Sequence, residues 1–263
     1  MTHQTFLITG ASDGIGAVYA DRLARRGHDL VLVARRADRL AQLASRLAAE
    51  TGVRVETLAA DLADTADLLR IERRLREDAA ITGLVNNAGI ANEGSILDAD
   101  PDYLSGMIDL NIRAVTRLSA AIAPRLAEAG SGTIINLTSV TALMPEGFTS
   151  VYPATKAYVL AFTEALRAQL GPRGVTVQAV LPGITRTAIW TDAAMAGLPP
   201  AMVMEAGDMV DAALAGLDMD EGVTIPSLPD VAAYHAYTAA RDALHPHLSL
   251  STPAARYGVS ARS

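Results

Sequence analysis

The sequence predicts an α/β fold, a doubly wound parallel sheet with helices on both faces. Three observations carry this. Short runs rich in Val, Ile and Leu alternate with longer Ala/Leu/Arg segments of helical period up to about residue 180. The short runs are apolar on both faces, as strands buried between two helical layers are. Crossovers between parallel strands are right-handed, which favours the doubly wound topology.

Element by element, strands are expected over residues 5–9, 29–34, 53–58, 81–86, 133–138 and 175–180. Helices are expected between them over 15–26, 37–51, 65–79, 102–129 and 150–170. Residues 187–204 mix Ala, Met, Gly and a Pro-Pro pair, the composition of a mobile helical lid. A helix over 205–215, a strand over 223–225 and a helix near 230–244 follow, and from His245 the chain reads as a loose arm. No Pro/Gly/Ser linker divides residues 1–263, so a single domain is expected, with an extension over about 227–263.

Composition narrows the function. A length of 263 residues is ordinary for one α/β domain and buries a core without staples. There is no Cys, which excludes disulfide frameworks, thiolate metal sites and thiol catalysis, and no metal is expected. The charge sum, 22 − 29 = −7, opposes nucleic-acid binding. No apolar run approaches the roughly 18 residues of a membrane span. A strand-like run begins at Thr5. That leaves no room for a signal peptide, so a cytoplasmic location is expected.

Among the 22 basic residues one is lysine, Lys156, and 21 are arginine. A chain that uses Arg for every other positive charge points to a need for a compact ammonium at that position.

The first strand runs into Thr9-Gly10-Ala11-Ser12-Asp13-Gly14-Ile15-Gly16 and then a helix. Glycines at such a turn let backbone N–H groups approach a pyrophosphate, and the helix N-terminus favours negative charge. The second strand ends Val33-Ala34-Arg35-Arg36, with no acid before Asp38. A carboxylate there would accept bonds from the ribose 2′-hydroxyl of NAD, whereas Arg binds a 2′-phosphate. NADP(H) is therefore expected, with Arg35 as main contact, Ser12 assisting and Arg36 beside them.

Val151-Tyr152-Pro153-Ala154-Thr155-Lys156 opens a helical pattern, and Pro is tolerated in a first turn. Tyr152 and Lys156, four apart, share a face. An adjacent ammonium and a helix N-terminus stabilise a phenolate and lower the pKa of a catalytic phenol. Ser139 follows the fifth strand, on the rim where parallel sheets bind ligands. Its context, Leu137-Thr138-Ser139-Val140-Thr141, lacks the Gly-x-Ser-x-Gly elbow of a hydrolase, so a hydroxyl that polarises a carbonyl is the expected role.

These residues together resemble the short-chain dehydrogenase/reductase family, over about 5–187. The motifs run in order: Thr9-Gly10-x-x-x-Gly14-Ile15-Gly16, Asp61-Leu62, Asn86-Asn87-Ala88-Gly89, Asn111, Ser139, Tyr152-x-x-x-Lys156 and Pro182-Gly183-Ile184-Thr185-Arg186-Thr187. The resemblance implies that Asp61 and Leu62 border the adenine, that Asn87, Ala88 and Gly89 wall its ribose, and that Pro182, Gly183 and Thr187 hold the nicotinamide end. It implies that Lys156 also grips the nicotinamide ribose and that Asn111 anchors a water relay leading from it. The implied reaction moves hydride to a carbonyl carbon while Tyr152 protonates the oxygen and Ser139 stabilises the alkoxide.

Val140, Leu143, Met144, Phe148, Ile184, Trp190 and Met195 are expected to line the substrate pocket, which suggests an apolar ketone or aldehyde. The resemblance implies a homodimer or homotetramer paired through the stretches 102–129 and 150–170. Three readings stay open: an NADPH-dependent carbonyl reductase, an alcohol dehydrogenase working mainly in oxidation, and a nucleotide-binding sensor without turnover.

Overall fold

The computed structural model describes residues 3–91, 95–147, 151–187 and 197–259. They fall into two units, Met1–Pro226 and Ser227–Ser263. In the first unit strands β1 (Thr5–Thr9), β2 (Asp29–Ala34), β3 (Val55–Ala59), β4 (Ile81–Asn86), β5 (Thr133–Leu137) and β6 (Thr176–Val180) alternate with helices. The helices are α1 (Gly14–Arg25), α2 (Ala37–Thr51), α3 (Thr65–Glu77), α4 (Pro101–Ile108), α5 (Val115–Ala129), α6 (Val151–Leu170) and α7 (Ala206–Asp218). Short strands β7 (Thr185–Arg186) and β8 (Met204–Glu205) precede α7, and β9 (Val223–Thr224) follows it.

The main sheet runs β3-β2-β1-β4-β5-β6-β9, all parallel. The direction of winding switches between β1 and β4, the place where doubly wound sheets bind ligands. Ile8 pairs with Leu32 on one side and Val85 on the other, so β1 and β4 deliver Gly10 and Asn87 to one rim.

Alternation along β1 builds both halves of the core. Phe6 and Ile8 pack with Tyr19 and Leu23 of α1, Leu40 and Leu47 of α2, and Val210 of α7. Leu7 faces the opposite layer with Leu68 and Ile71 of α3 and Leu118 and Ile122 of α5. Successive side chains on a strand point to opposite faces, so the strand is apolar throughout.

Local chemistry sets several boundaries. Asp13 caps α1 by accepting from Gly14 N at 2.7 Å, Asp64 caps α3 through Asp67 N at 2.9 Å, and Asp100 caps α4 through Asp102 N at 3.0 Å. Pro101 then occupies the first turn of α4.

Some expectations need correction. The helix expected over 102–129 is α4 and α5 joined by a π-helical segment, Asp109–Ala114. The turn there is wider, with i→i+5 bonding, and the apolar residues on either side of it do not mark the change. The third strand starts at Val55 rather than 53, because Gly52 ends α2 in a left-handed conformation (φ 76°) and two residues bring the chain back to the sheet. Glu205 belongs to β8, so the next helix is Ala206–Asp218. Of the expected helical lid, 188–196 lies outside the described residues. The described remainder holds a 3-10 turn, Pro200–Met202, and the start of β8, not an α-helix.

β7 and β8 pair in parallel, Thr185 with Met204 and Arg186 with Glu205, and an Arg186–Glu205 ion pair of 2.7 Å sits on the same rungs. Residues 227–259 contain α8 (Ala232–Asp242) and 3-10 turns at His245–His247 and Ala255–Tyr257. Among the described residues no helix is long and apolar enough to cross a membrane, and no cluster of His, Cys, Asp or Glu can hold a metal.

Candidate active site

Ser139 leaves β5 in an extended conformation, and its Oγ accepts from Thr141 N at 3.2 Å, capping the 3-10 turn Val140–Ala142. Tyr152 stands in the first turn of α6, followed by Pro153, and its phenol hydrogen-bonds Ser139. One turn on, Lys156 is 6% exposed; its Nζ donates to Leu137 O at 3.0 Å and lies 5.7 Å from the centre of the Tyr152 ring. The structure thus brings together the three side chains singled out in the sequence.

Burial acts on both titrating groups. It pushes the Tyr152 phenol above its usual value, a rise that the Ser139 hydrogen bond opposes. It pulls the Lys156 ammonium down to about 8. In the protein alone desolvation therefore outweighs the phenol-lowering influence expected of the ammonium.

Asn111 lies in the π-helical segment and is 1% exposed. Its Oδ1 accepts from Ile90 N at 3.0 Å, and its Nδ2 donates to Ile90 O at 2.9 Å and to Thr155 Oγ1 at 3.1 Å. The side-chain amide is thus fully engaged with protein. Gly89 lets the loop pass close by: a Cβ there would lie 3.1 Å from Asn111 Oδ1 and 3.5 Å from Lys156 Nζ.

The nucleotide turn is equally close-built. Gly10 has φ 68° and Gly14 φ 52°, a region that disfavours L side chains. A Cβ on Gly10 would stand 2.7 Å from Asn87 Nδ2, and one on Gly16 would overlap the Gly10 carbonyl. Thr9, to which the sequence reading gave no role, ties the two loops together: its Oγ1 accepts from Asn87 N and Ala88 N, both at 3.0 Å. A Cβ on Gly14 would touch Thr187 Cγ2 at 3.1 Å, so the segment after β6 reaches this turn. Pro182 O accepts from Val140 N at 3.0 Å, and Gly183 O from Thr185 Oγ1 at 3.2 Å. Ile15, at the start of α1, packs against the core.

At the end of β2, Arg36 rather than Arg35 turns to Ser12, with Nη2 3.0 Å and Nε 3.3 Å from Ser12 Oγ. Arg39, which the sequence reading passed over, joins Arg36 on the Asp13 carboxylate, at 2.7 and 3.3 Å. Its signal was a third Arg, three residues after Arg36, in the first turn of α2. Arg35 is exposed, without a hydrogen-bond partner among the described residues. Asp61 Oδ1 accepts from Ala63 N at 3.0 Å, and Leu62 is buried in the core against α3. Of the expected pocket residues, Val140 and Leu143 pack against Leu160, Ala179 and Leu181, Ile184 is half-buried, and Met144 is exposed. Phe148, Trp190 and Met195 lie outside the described residues.

The pattern of the short chain dehydrogenase family matches residues 4–196. The chain belongs to the short-chain dehydrogenase/reductase family. Within this family it is 33% identical over 181 residues to very-long-chain 3-oxoacyl-CoA reductase-B of Danio rerio, a match covering 67% of this chain and 58% of that protein. The chain thus matches little more than half the length of that relative. A short-chain dehydrogenase from Sphingobium yanoikuyae, solved in complex with NADPH, superposes with a TM-score of 0.92 at 50% identity, over 95% of this chain and 98% of that one. The bulky-bulky ketone specific alcohol dehydrogenase from Comamonas testosteroni superposes with a TM-score of 0.91 at 44% identity, over 98% and 99%. Both superpositions run over a larger share of the chain than the family pattern does.

Proposed function

We propose that the chain is an NADPH-dependent reductase of bulky apolar ketones, reversible toward the alcohol. The observation that carries the reading is the buried Ser139–Tyr152–Lys156 group on the rim of the sheet. The NADPH complex of the Sphingobium relative and the ketone specificity of the Comamonas relative support it, each over nearly full length. The 3-oxoacyl-CoA reductases match over a smaller share, so their thioester substrates rank second.

The residues present fit the cofactor. Gly10, Gly14 and Gly16 leave no side chain where backbone must approach a pyrophosphate, and Ser12 and Asp13 sit at the N-terminus of α1. Arg36, with Ser12 and backed by Arg35, offers donors for a 2′-phosphate. Asp61 and Leu62 would border the adenine, Asn87, Ala88 and Gly89 the ribose, and Pro182, Gly183 and Thr187 the nicotinamide. Bound there, the cofactor supplies the hydride.

The chain's own groups supply the rest. Tyr152 Oη holds the proton destined for the carbonyl oxygen, and Ser139 Oγ donates to the same oxygen as it gains charge. Lys156, charged, stabilises the phenolate left behind and reaches toward ribose hydroxyls. Asn111 fixes the π-helical segment beside Gly89 and Lys156, where a water relay would run.

Consumption of NADPH, with NADH in parallel, across bulky diaryl or aryl-alkyl ketones, small ketones and 3-oxoacyl thioesters tests the proposal. Fastest turnover on bulky ketones with NADPH is expected. Tight NADPH binding with no turnover would favour a sensor instead. We further propose a homodimer or homotetramer joined through α4, α5 and α6, where Tyr103, Ile108 and Tyr158 are exposed and Tyr158 stacks on Phe162 at 5.9 Å. Light scattering of the purified chain reads this directly.

A further inference from the structure

Ser139 and Tyr152 come from different elements, a strand exit and the first turn of a helix, and the first turn is where helices fray. Two buried threonines outside the catalytic set bind this turn to its surroundings. Thr138, 3% exposed and next to Ser139, donates from Oγ1 to Lys156 O at 2.7 Å. Thr155, 1% exposed and next to Lys156, donates from Oγ1 to Tyr152 O at 2.7 Å and accepts from Asn111 Nδ2 at 3.1 Å. Each catalytic residue of α6 thus has its backbone carbonyl held by a hydroxyl. One hydroxyl belongs to the neighbour of Ser139, and the other is reached by Asn111.

A helical carbonyl already has its partner four residues on, so neither hydroxyl is needed to close the helix. A helical Thr commonly bonds back within its own turn. The Asn111 amide on Thr155 and the cross-element reach of Thr138 go beyond that habit. Each fixes α6 relative to a different neighbour, β5 for Thr138 and the π-helical segment for Thr155.

We propose that Thr138 and Thr155 are positioning residues that hold Tyr152 and Lys156 in register with Ser139 and Asn111. The assignment rests on the reductase reading for its kinetic effect. Misplacing a reacting group by about an ångström costs on the order of 100-fold in rate, with no contact to substrate lost.

Thr138→Val and Thr155→Val keep shape and remove the hydroxyl; Thr138→Ser and Thr155→Ser restore it. Turnover is expressed per NADPH-binding site, so unfolded molecules do not enter. Each Val variant is expected to lose about 10–100-fold in kcat, with KM for ketone and Kd for NADPH within about twofold. Each Ser variant is expected to return to within about threefold of wild type. A second readout needs no substrate. Lys156 is the sole lysine, so its side chain gives one NMR signal in lysine-labelled protein. Its titration midpoint is expected to rise in Thr138→Val as the loosened turn admits water to Nζ.

Val variants within about twofold of wild-type kcat, or Ser variants as slow as Val, would overturn the proposal, as would an unmoved Lys156 midpoint. The two readings fail separately. A wild type without turnover sinks the reductase assignment, while the Lys156 titration still decides the role of Thr138.

Discussion

The Lys156 ammonium stands 5.7 Å from the centre of the Tyr152 ring and donates a hydrogen bond, 3.0 Å long, to the carbonyl of Leu137. The charge proposed to aid the phenol is thus anchored on the strand that leads to Ser139.

Removing the Tyr152 hydroxyl while keeping the ring isolates proton transfer. Tyr152→Phe is expected to lose about 10²–10⁴-fold in kcat with NADPH affinity within a few-fold. Single-turnover kinetics with fluorescence titration of NADPH checks both. Near-normal carbonyl reduction by this variant would end the proposed chemistry.

Lys156 also sets a pH dependence of stability. Its folded pKa, about 8, lies below the ordinary 10.5, so between those values the unfolded chain binds more protons. Stability contributed by this group therefore rises with pH across that window, by about 1–3 kcal/mol. Urea unfolding of wild type and Lys156→Met at pH values from about 7 to 10 is expected to show the difference moving in favour of wild type. Above pH 10 the raised Tyr152 phenol acts oppositely, staying protonated in the fold while the unfolded chain ionises.

Arg36 and Arg35 separate cofactor preference from surface charge. Arg36→Ala is expected to raise KM for NADPH about 10–100-fold and leave NADH nearly unchanged, since the proposed charge-assisted bonds would be to a phosphate that NADH lacks. Arg35→Ala is expected to have a smaller effect, because Arg36 is the arginine held on Ser12. Equal effects on both cofactors would remove the phosphate assignment.

The nucleotide turn tolerates no side chain at Gly10. Gly10→Ala meets both a left-handed φ of 68° and the Asn87 amide at 2.7 Å. Isothermal titration is expected to show NADPH binding weakened at least about 10-fold, with a lowered thermal midpoint, since the backbone strain alone costs about 1–2 kcal/mol.

How much of this was legible in the sequence depended on whether the signal was local. Phe6, Leu7 and Ile8 announce a strand buried on both faces, because each is apolar and alternate residues serve different layers. Tyr152 and Lys156 are readable because a spacing of four puts both on one helical face. The π-helical segment around Asn111 was not, since helical apolar spacing does not distinguish i→i+4 from i→i+5 bonding within a single turn. Arg35 and Arg36 are adjacent, and which one faces Ser12 is set by the direction in which the chain leaves β2. The hydroxyls of Thr138 and Thr155 find partners on other elements, so the sequence shows two ordinary threonines. The direction of the Tyr152 shift was likewise hidden, because burial is a property of the assembled fold.

The pairing of Thr185–Arg186 with Met204–Glu205 fastens both margins of the stretch 187–203 to each other before any residue within it is chosen. The entropy of bringing its ends together is met by the frame and grows only logarithmically with length. Grafts of different length that keep Thr187, which reaches Gly14, are therefore expected to alter which carbonyl substrates the proposed reductase accepts while leaving the nucleotide turn and the Tyr152 helix as they are.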